Sequence, residues 1–190
     1  IWNMWIKIAV AVLPAVVLGQ LFDDILEEKF FNPFTVSLML IIYGVILIII
    51  ESSKKVKVKT KTIQELSFKT AVGIGFFQCL AMIPGTSRSA ATIIGGVLLG
   101  LERVLATEFS FFLAIPTMFG ASFYKIMKSG FNLSGYEVFL IALGFVLSFI
   151  ISYIVIKLFL DYIKKHDFKV FGYYRIILGI VMLVFMFMTK

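Results

Sequence analysis

Residues Ile83 to Ala91 read IPGTSRSAA, and Arg88 within that run is the only full charge between Thr70 and Leu101. The hydroxyls of Thr86, Ser87, Ser89 and Thr92 crowd around it, and Pro84-Gly85 breaks any helix just before it. A charge at membrane depth is costly unless something pairs with it, so an isolated arginine in an apolar run marks a site. A fixed cation among hydroxyls and free backbone N–H groups at a helix start is an anion receptor, and phosphate is the obvious anion. The planar guanidinium of Arg88 suits an oxygen pair of a diphosphate, to which it can donate two parallel charge-assisted hydrogen bonds. Ser87, Ser89 and Thr86 add hydroxyl donors, and the amides from Ser89 to Ala91 are expected to point along a helix N-terminus toward the anion. The plainer alternative is an ordinary N-cap at Thr86-Ser87, with Arg88 snorkelling to an interface.

The elements that hold this run must lie in a membrane. Hydrophobic residues make up 61% of the 190 and charged residues only 15%, below the usual quarter for soluble domains. Mean hydropathy is +1.03. A net charge of +7 could suggest nucleic acid, but the basic residues sit between apolar runs, as in cytoplasmic loops. No nucleic-acid partner is expected. The single cysteine, Cys79, excludes an internal disulfide. Ile1 opens directly onto an apolar segment, so the sequence reads as a fragment whose N-terminal part is missing.

Apolar runs long enough to cross a bilayer fall near Ile6–Phe22, Phe34–Ile50, Val104–Tyr124, Tyr136–Leu160 and Gly172–Met188. Pro14 and Pro116 inside two of them are tolerable in lipid. Trp2, Trp5, Tyr136, Tyr173 and Tyr174 read as interface anchors. Lys54, Lys55, Lys57, Lys59 and Lys61 form one basic loop, and Lys164, Lys165 and Lys169 another; Asp23, Asp24, Glu27 and Glu28 read as an outer-face loop. With both basic loops in the cytoplasm, the stretch from Lys61 to Arg103 must begin and end inside. A re-entrant hairpin over residues 64–101, tip at Pro84–Ser89, satisfies both length and parity. The fold class expected is therefore an all-α integral membrane domain over 1–190, about five transmembrane helices plus one re-entrant hairpin. Gly73-x-Gly75 and Gly96-x-x-x-Gly100 read as close helix packing rather than a nucleotide fingerprint or a dimer motif.

The run from Gln78 through Ser89 (QCLAMIPGTSRS) resembles a signature of the undecaprenyl-diphosphatase family, the bacitracin-resistance membrane phosphatases. The likeness continues through Ala91-Thr92-Ile93 and Gly95-Gly96, then FSFFLAIP from Phe109 to Pro116, and YRIILG from Tyr174 to Gly179. Ala90 departs from the glycine usual in that family. The resemblance implies hydrolysis of undecaprenyl diphosphate to undecaprenyl phosphate and phosphate, recycling the carrier lipid of cell-wall synthesis. It implies a multi-pass protein of the bacterial plasma membrane, a lipid diphosphate partner and room for a homodimer. By the resemblance Arg88, Ser87 and Ser89 are the catalytic residues, and Thr86, Gly85, Thr92 and Gln78 bind substrate.

The same family resembles an inverted repeat whose first half carries a glutamate-rich motif with serines and a histidine, and nothing here matches that half. His166, the only histidine, lies in a basic loop and reads as solvated. No metal ligand is assigned in this sequence. A divalent cation, magnesium or calcium, would take its ligands from the missing N-terminal part, and the 190 residues alone are expected to be inactive. A histidine acid-phosphatase mechanism is excluded, since it needs a histidine six residues after Arg88 and position 94 is Ile94. A prenyl-phosphate transporter or flippase built on an inverted repeat is the alternative function.

Overall fold

The computed structural model describes residues 2–53, 57–129 and 134–189, without the side chains of Asp23, Asp24, Glu27, Lys125 and Ser129. Among these residues the chain forms α1 (Trp2–Phe30), α2 (Pro33–Ser52), α3 (Phe68–Cys79), α4 (Arg88–Leu98), α5 (Arg103–Ser129), α6 (Gly135–Lys165) and α7 (Lys169–Met188). No strand is present among them; Thr60 and Leu101 form one isolated bridge. Helices α1, α2, α5, α6 and α7 contain the five segments long and apolar enough to cross a membrane, and they cover the five expected runs.

Local sequence sets the helix boundaries. Asn32 accepts from the Thr35 amide with Pro33 at the first helical position, Ser67 accepts from the Thr70 amide, and Ser134 with Glu137 closes a capping box. One boundary differs from expectation. α1 runs on to Phe30, so Asp23, Asp24, Glu27 and Glu28 lie in its last two turns rather than in a loop. The chain reverses direction only at Asn32-Pro33, where proline removes the amide a continuing helix would need.

Helices α3 and α4 have 12 and 11 residues, so each is about 17 Å long against a hydrocarbon core of about 30 Å. Neither can cross. They pack on each other and reverse at Ile83–Ser87. Their open ends are tied together: the amides of Lys59 and Thr60 donate to the Gly100 carbonyl at 2.8 and 3.1 Å, and the Glu102 amide donates to the Thr60 carbonyl at 2.9 Å. Glu65 braces the entry loop by accepting from the amides of Lys61 and Thr62. The Lys61 amide in particular holds the Glu65 carboxyl below its usual range. Arg103, at the start of α5, pairs with Glu51 at the end of α2 (3.4 Å) and donates to the His166 carbonyl after α6 (3.4 Å). The C-terminal ends of α2, α4 and α6 and the start of α5 therefore lie next to one another. Lys54 and Lys55 of the first basic loop lie outside the described residues.

Two close helix pairs frame the hairpin. In the antiparallel pair α2/α7, a Cβ on Gly44 would lie 2.7 Å from the Gly172 carbonyl oxygen, and one on Gly179 would lie 2.7 Å from the Ser37 carbonyl oxygen. Small residues let these backbones meet directly, which is how helices gain packing energy in lipid. In α1/α3, Gly75 abuts the backbone of Ala11, which bears out the packing reading of that glycine. Gly96 packs on Ala106 of α5, again a contact within the chain. The core formed between these pairs includes Ile8, Ala11, Ile74, Ala91, Ile94, Leu105 and Phe109. By contrast α6 is exposed on every side from Gly135 to Leu158 and joins the bundle only near its end, through Phe159 against Phe111 and Phe171. A helix apolar on all faces fits a membrane span.

Candidate anion-binding site

The site is the turn between α3 and α4. α3 tightens into a 3₁₀ turn at Leu80–Met82, and the Thr86 amide then closes back on the Ile83 carbonyl at 3.2 Å. Pro84 and Gly85 fill the two central positions of that turn. Gly85 has φ = 90°, which its missing Cβ permits and a type II turn demands. Any Cβ there would lie 2.5 Å from the Val36 carbonyl oxygen of α2, so the turn is seated directly on that helix.

Ser87 is the N-cap of α4. It holds φ = 70°, a left-handed value that a serine adopts only when its surroundings impose it. Its Oγ accepts from the Ala90 amide (3.4 Å), its carbonyl accepts from the Ala91 amide (3.0 Å), and its hydroxyl pairs with that of Ser89 (3.2 Å). The cap reading is therefore right for Ser87, and it shifts the expected amide donors. Ala90 and Ala91 are used locally; the amides of Ser87, Arg88 and Ser89 have no partner among the described residues. These three are the N–H groups that a helix start offers to an anion.

Arg88 is half-buried. Its guanidinium makes one hydrogen bond, from Nη1 to the Ser110 carbonyl at 3.4 Å, and no carboxylate pairs with it among the described residues. A guanidinium carries five donors, so most of its capacity is unspent. Ser87 and Ser89 are also half-exposed beside it. Thr92 is instead turned into the packing: its hydroxyl bonds the Arg88 carbonyl (3.0 Å) and the Ser110 hydroxyl (2.7 Å), which joins α4 to α5. Thr86 is fully buried beneath the turn, and Gly85 offers its carbonyl inward. Gln78 is buried with both amide atoms unpartnered among the described residues, the condition of a group awaiting a partner.

Three residues given no role from sequence prove central. Arg175 of α7 donates from Nη2 to the carbonyls of Gly85 (2.7 Å) and Thr86 (2.9 Å). Ser110 binds Arg88 and Thr92 from α5. Lys7 of α1, only 3% exposed, donates to the carbonyls of Ile63 (3.0 Å) and Gln64 (3.1 Å) and so anchors the entry to the hairpin. The signal existed for two of them. Lys7 is the only charge from Ile1 to Phe22 and Arg175 the only one from Val170 to Thr189. Their isolation is of the same kind as that of Arg88.

A divalent cation fits poorly to what is described. No group of three or more His, Cys, Asp or Glu side chains converges among the described residues, and His166 stacks on Tyr162 at 4.4 Å in the loop before α7.

The fold and site together define a polytopic membrane protein with a half-buried arginine and a cluster of hydroxyls at the turn of a short helical hairpin. A model of the family described as bacitracin resistance protein BacA matches residues 1–181, and the chain belongs to that family. It is 54% identical over 186 residues to undecaprenyl-diphosphatase 1 of Clostridioides difficile, covering 98% of this chain and 68% of the relative. It is 54% identical over 190 residues to an undecaprenyl-diphosphatase of Fusobacterium nucleatum (98% and 71% covered) and 50% identical over 184 residues to one of Enterococcus faecalis (96% and 67%). The chain is a multi-pass membrane protein.

Proposed function

We propose that this chain carries the diphosphate receptor of an undecaprenyl-diphosphate phosphatase, which releases the terminal phosphate to recycle the carrier lipid of cell-wall synthesis. The observation that carries the reading is Arg88: an arginine inside an apolar bundle, one hydrogen bond spent, beside two half-exposed serines and three unbonded amides of a helix start. Phosphoryl transfer requires mainly positioning and neutralisation of charge, and this arrangement supplies both. Arg88 binds and polarises diphosphate oxygens, the hydroxyls of Ser87 and Ser89 donate to them, and the apolar faces of the bundle hold the prenyl chain.

In this proposal the hairpin is re-entrant, with its tip at membrane depth and both ends cytoplasmic. The bridge that pairs Thr60 with Leu101, through bonds to Gly100 and Glu102, and the Arg103 contacts support it. Single cysteines at Lys57 and Lys165 are expected to react with a membrane-impermeant thiol reagent from the cytoplasmic side, and one at Glu28 from the outside. Opposite sides for Lys57 and Lys165 would replace the hairpin with true spans.

Hydrolysis also requires an activated water or nucleophile, a contribution of about 10²–10⁴ in rate. No group of three or more His, Cys, Asp or Glu side chains converges among the described residues to supply it. The finer proposal is that these groups, and the ligands of any divalent cation, come from sequence outside these 190 residues, the side to which Gln78 and Arg88 would present their free donors. Phosphate release from undecaprenyl diphosphate should then be undetectable with the 190 residues alone. It should return when the remaining third of the Clostridioides difficile relative is co-expressed. Turnover by the 190 residues alone would locate the nucleophile here, with Ser87 or Ser89 first.

A further inference from the structure

Arg175 occupies an unlikely place for a charge. It lies in α7, whose sequence from Val170 to Met188 is otherwise uncharged, and its Nε is buried with no partner among the described residues. Its Nη2 bridges two successive carbonyls, those of Gly85 and Thr86, at 2.7 and 2.9 Å. It therefore reaches across 90 residues of sequence to hold the turn from beneath, on the side where Gly85 sits against α2.

The peptide unit makes that grip directional. A trans peptide is planar, with its C=O and N–H on opposite sides. The Thr86 carbonyl belongs to the same plane as the Ser87 amide, so fixing the carbonyl toward Arg175 fixes the Ser87 N–H away from it. The amides of Arg88 and Ser89 follow in the first turn of α4. Ser87 itself is left-handed at φ = 70°, a conformation that persists only where several contacts over-determine it. Donation to a carbonyl also polarises the N–H on the far side of its peptide, which strengthens that donor. The same grip draws two carbonyl lone pairs away from a space where an anion would be repelled by them.

We propose that Arg175 is a positioning residue for the reaction: it pins the Gly85 and Thr86 carbonyls so that the Ser87–Ser89 amides and hydroxyls and Arg88 keep their aim at the diphosphate. The role rests on the phosphatase reading. It differs from that of Arg88 in that Arg175 acts through the backbone and not on substrate.

The experiment uses the full-length protein in lipid nanodiscs, with Arg175→Gln, Arg175→Lys and Arg88→Lys assayed in parallel for phosphate release from undecaprenyl diphosphate. A receptor displaced by a fraction of an ångström loses transition-state alignment while Arg88 still attracts the ground state. In Arg175→Gln the expected result is therefore a kcat lower by about 30–100-fold with KM changed less than about threefold. Arg175→Lys, which can still donate to one carbonyl, should recover part of the loss, and it gives the same kcat-against-KM split should Arg175→Gln not fold. A loss confined to KM would overturn the proposal by making Arg175 a substrate contact. A lowered unfolding temperature with unchanged kcat would overturn it by making Arg175 purely structural. If Arg88→Lys turns over normally, the receptor reading falls and positioning falls with it; if Arg88→Lys is impaired and Arg175→Gln is not, positioning alone falls.

Discussion

Phosphate release from undecaprenyl diphosphate by the full-length protein should fall about 10²–10³-fold in Arg88→Lys, and further in Arg88→Ala. Lysine keeps the charge but replaces a planar fork with a single ammonium, so it cannot donate two parallel bonds to neighbouring diphosphate oxygens. Alanine removes the charge as well. Little else should suffer, because the Arg88 guanidinium makes only one hydrogen bond among the described residues, at 3.4 Å to the Ser110 carbonyl. The unfolding temperature should therefore stay near that of the wild type while turnover is lost, a dissociation that marks a functional rather than a structural arginine. Lys57→Ala, at an exposed lysine of the basic loop, serves as the charge control and should leave turnover almost unchanged. Normal turnover in Arg88→Ala would return Arg88 to the role of a helix-terminal snorkelling residue.

Gly85→Val is expected to do the opposite, removing structure and activity together. Valine at φ = 90° is an outlier because its branched Cβ meets the backbone, a strain of about 1–2 kcal/mol. That Cβ would also lie 2.5 Å from the Val36 carbonyl oxygen and 2.7 Å from its Cα, both backbone atoms that no rotamer change can move, adding about 1–3 kcal/mol of overpacking. The turn must then lift off α2, taking the carbonyls that Arg175 grips with it. Thermal unfolding of the solubilised protein should shift down by several degrees and turnover should drop about 10²-fold. Gly144→Val, on the exposed stretch of α6 where a Cβ meets nothing within 4 Å, should change neither. Wild-type stability in Gly85→Val would show that the turn is not seated on α2.

Much of this architecture can be read from the residues because the bilayer leaves few choices. Apolar runs of spanning length must be helices, and the five runs are; a short apolar stretch split by Pro84-Gly85 should give helices too short to span, and α3 and α4 have 12 and 11 residues. Arg88 was visible for the same reason: lipid makes an isolated charge conspicuous. Tertiary partners were not visible. That Ser110 would face Arg88, that Thr92 would turn into the packing and that Thr86 would be buried all depend on how α4 rotates against α5, which periodicity does not fix for a helix as short as 11 residues. The extension of α1 to Phe30 is not legible in the charge pattern, which signals a loop, because Glu continues a helix readily and Asp costs it only a few tenths of a kcal/mol. Lys7 and Arg175 carried the same mark of isolation as Arg88 but lay in runs read simply as spans. Their partners are backbone carbonyls 56 and 90 positions away, which no local pattern announces.

Equilibrium binding of a prenyl diphosphate to the purified full-length protein, set against the prenyl alcohol of equal chain length, tests the anion receptor most directly. Binding should require the diphosphate, weaken with rising salt, and fall at least tenfold in Arg88→Ala, about 1.4 kcal/mol. Equal affinity for diphosphate and alcohol, or an affinity indifferent to Arg88→Ala, would contradict a diphosphate site at the Pro84–Ser89 turn.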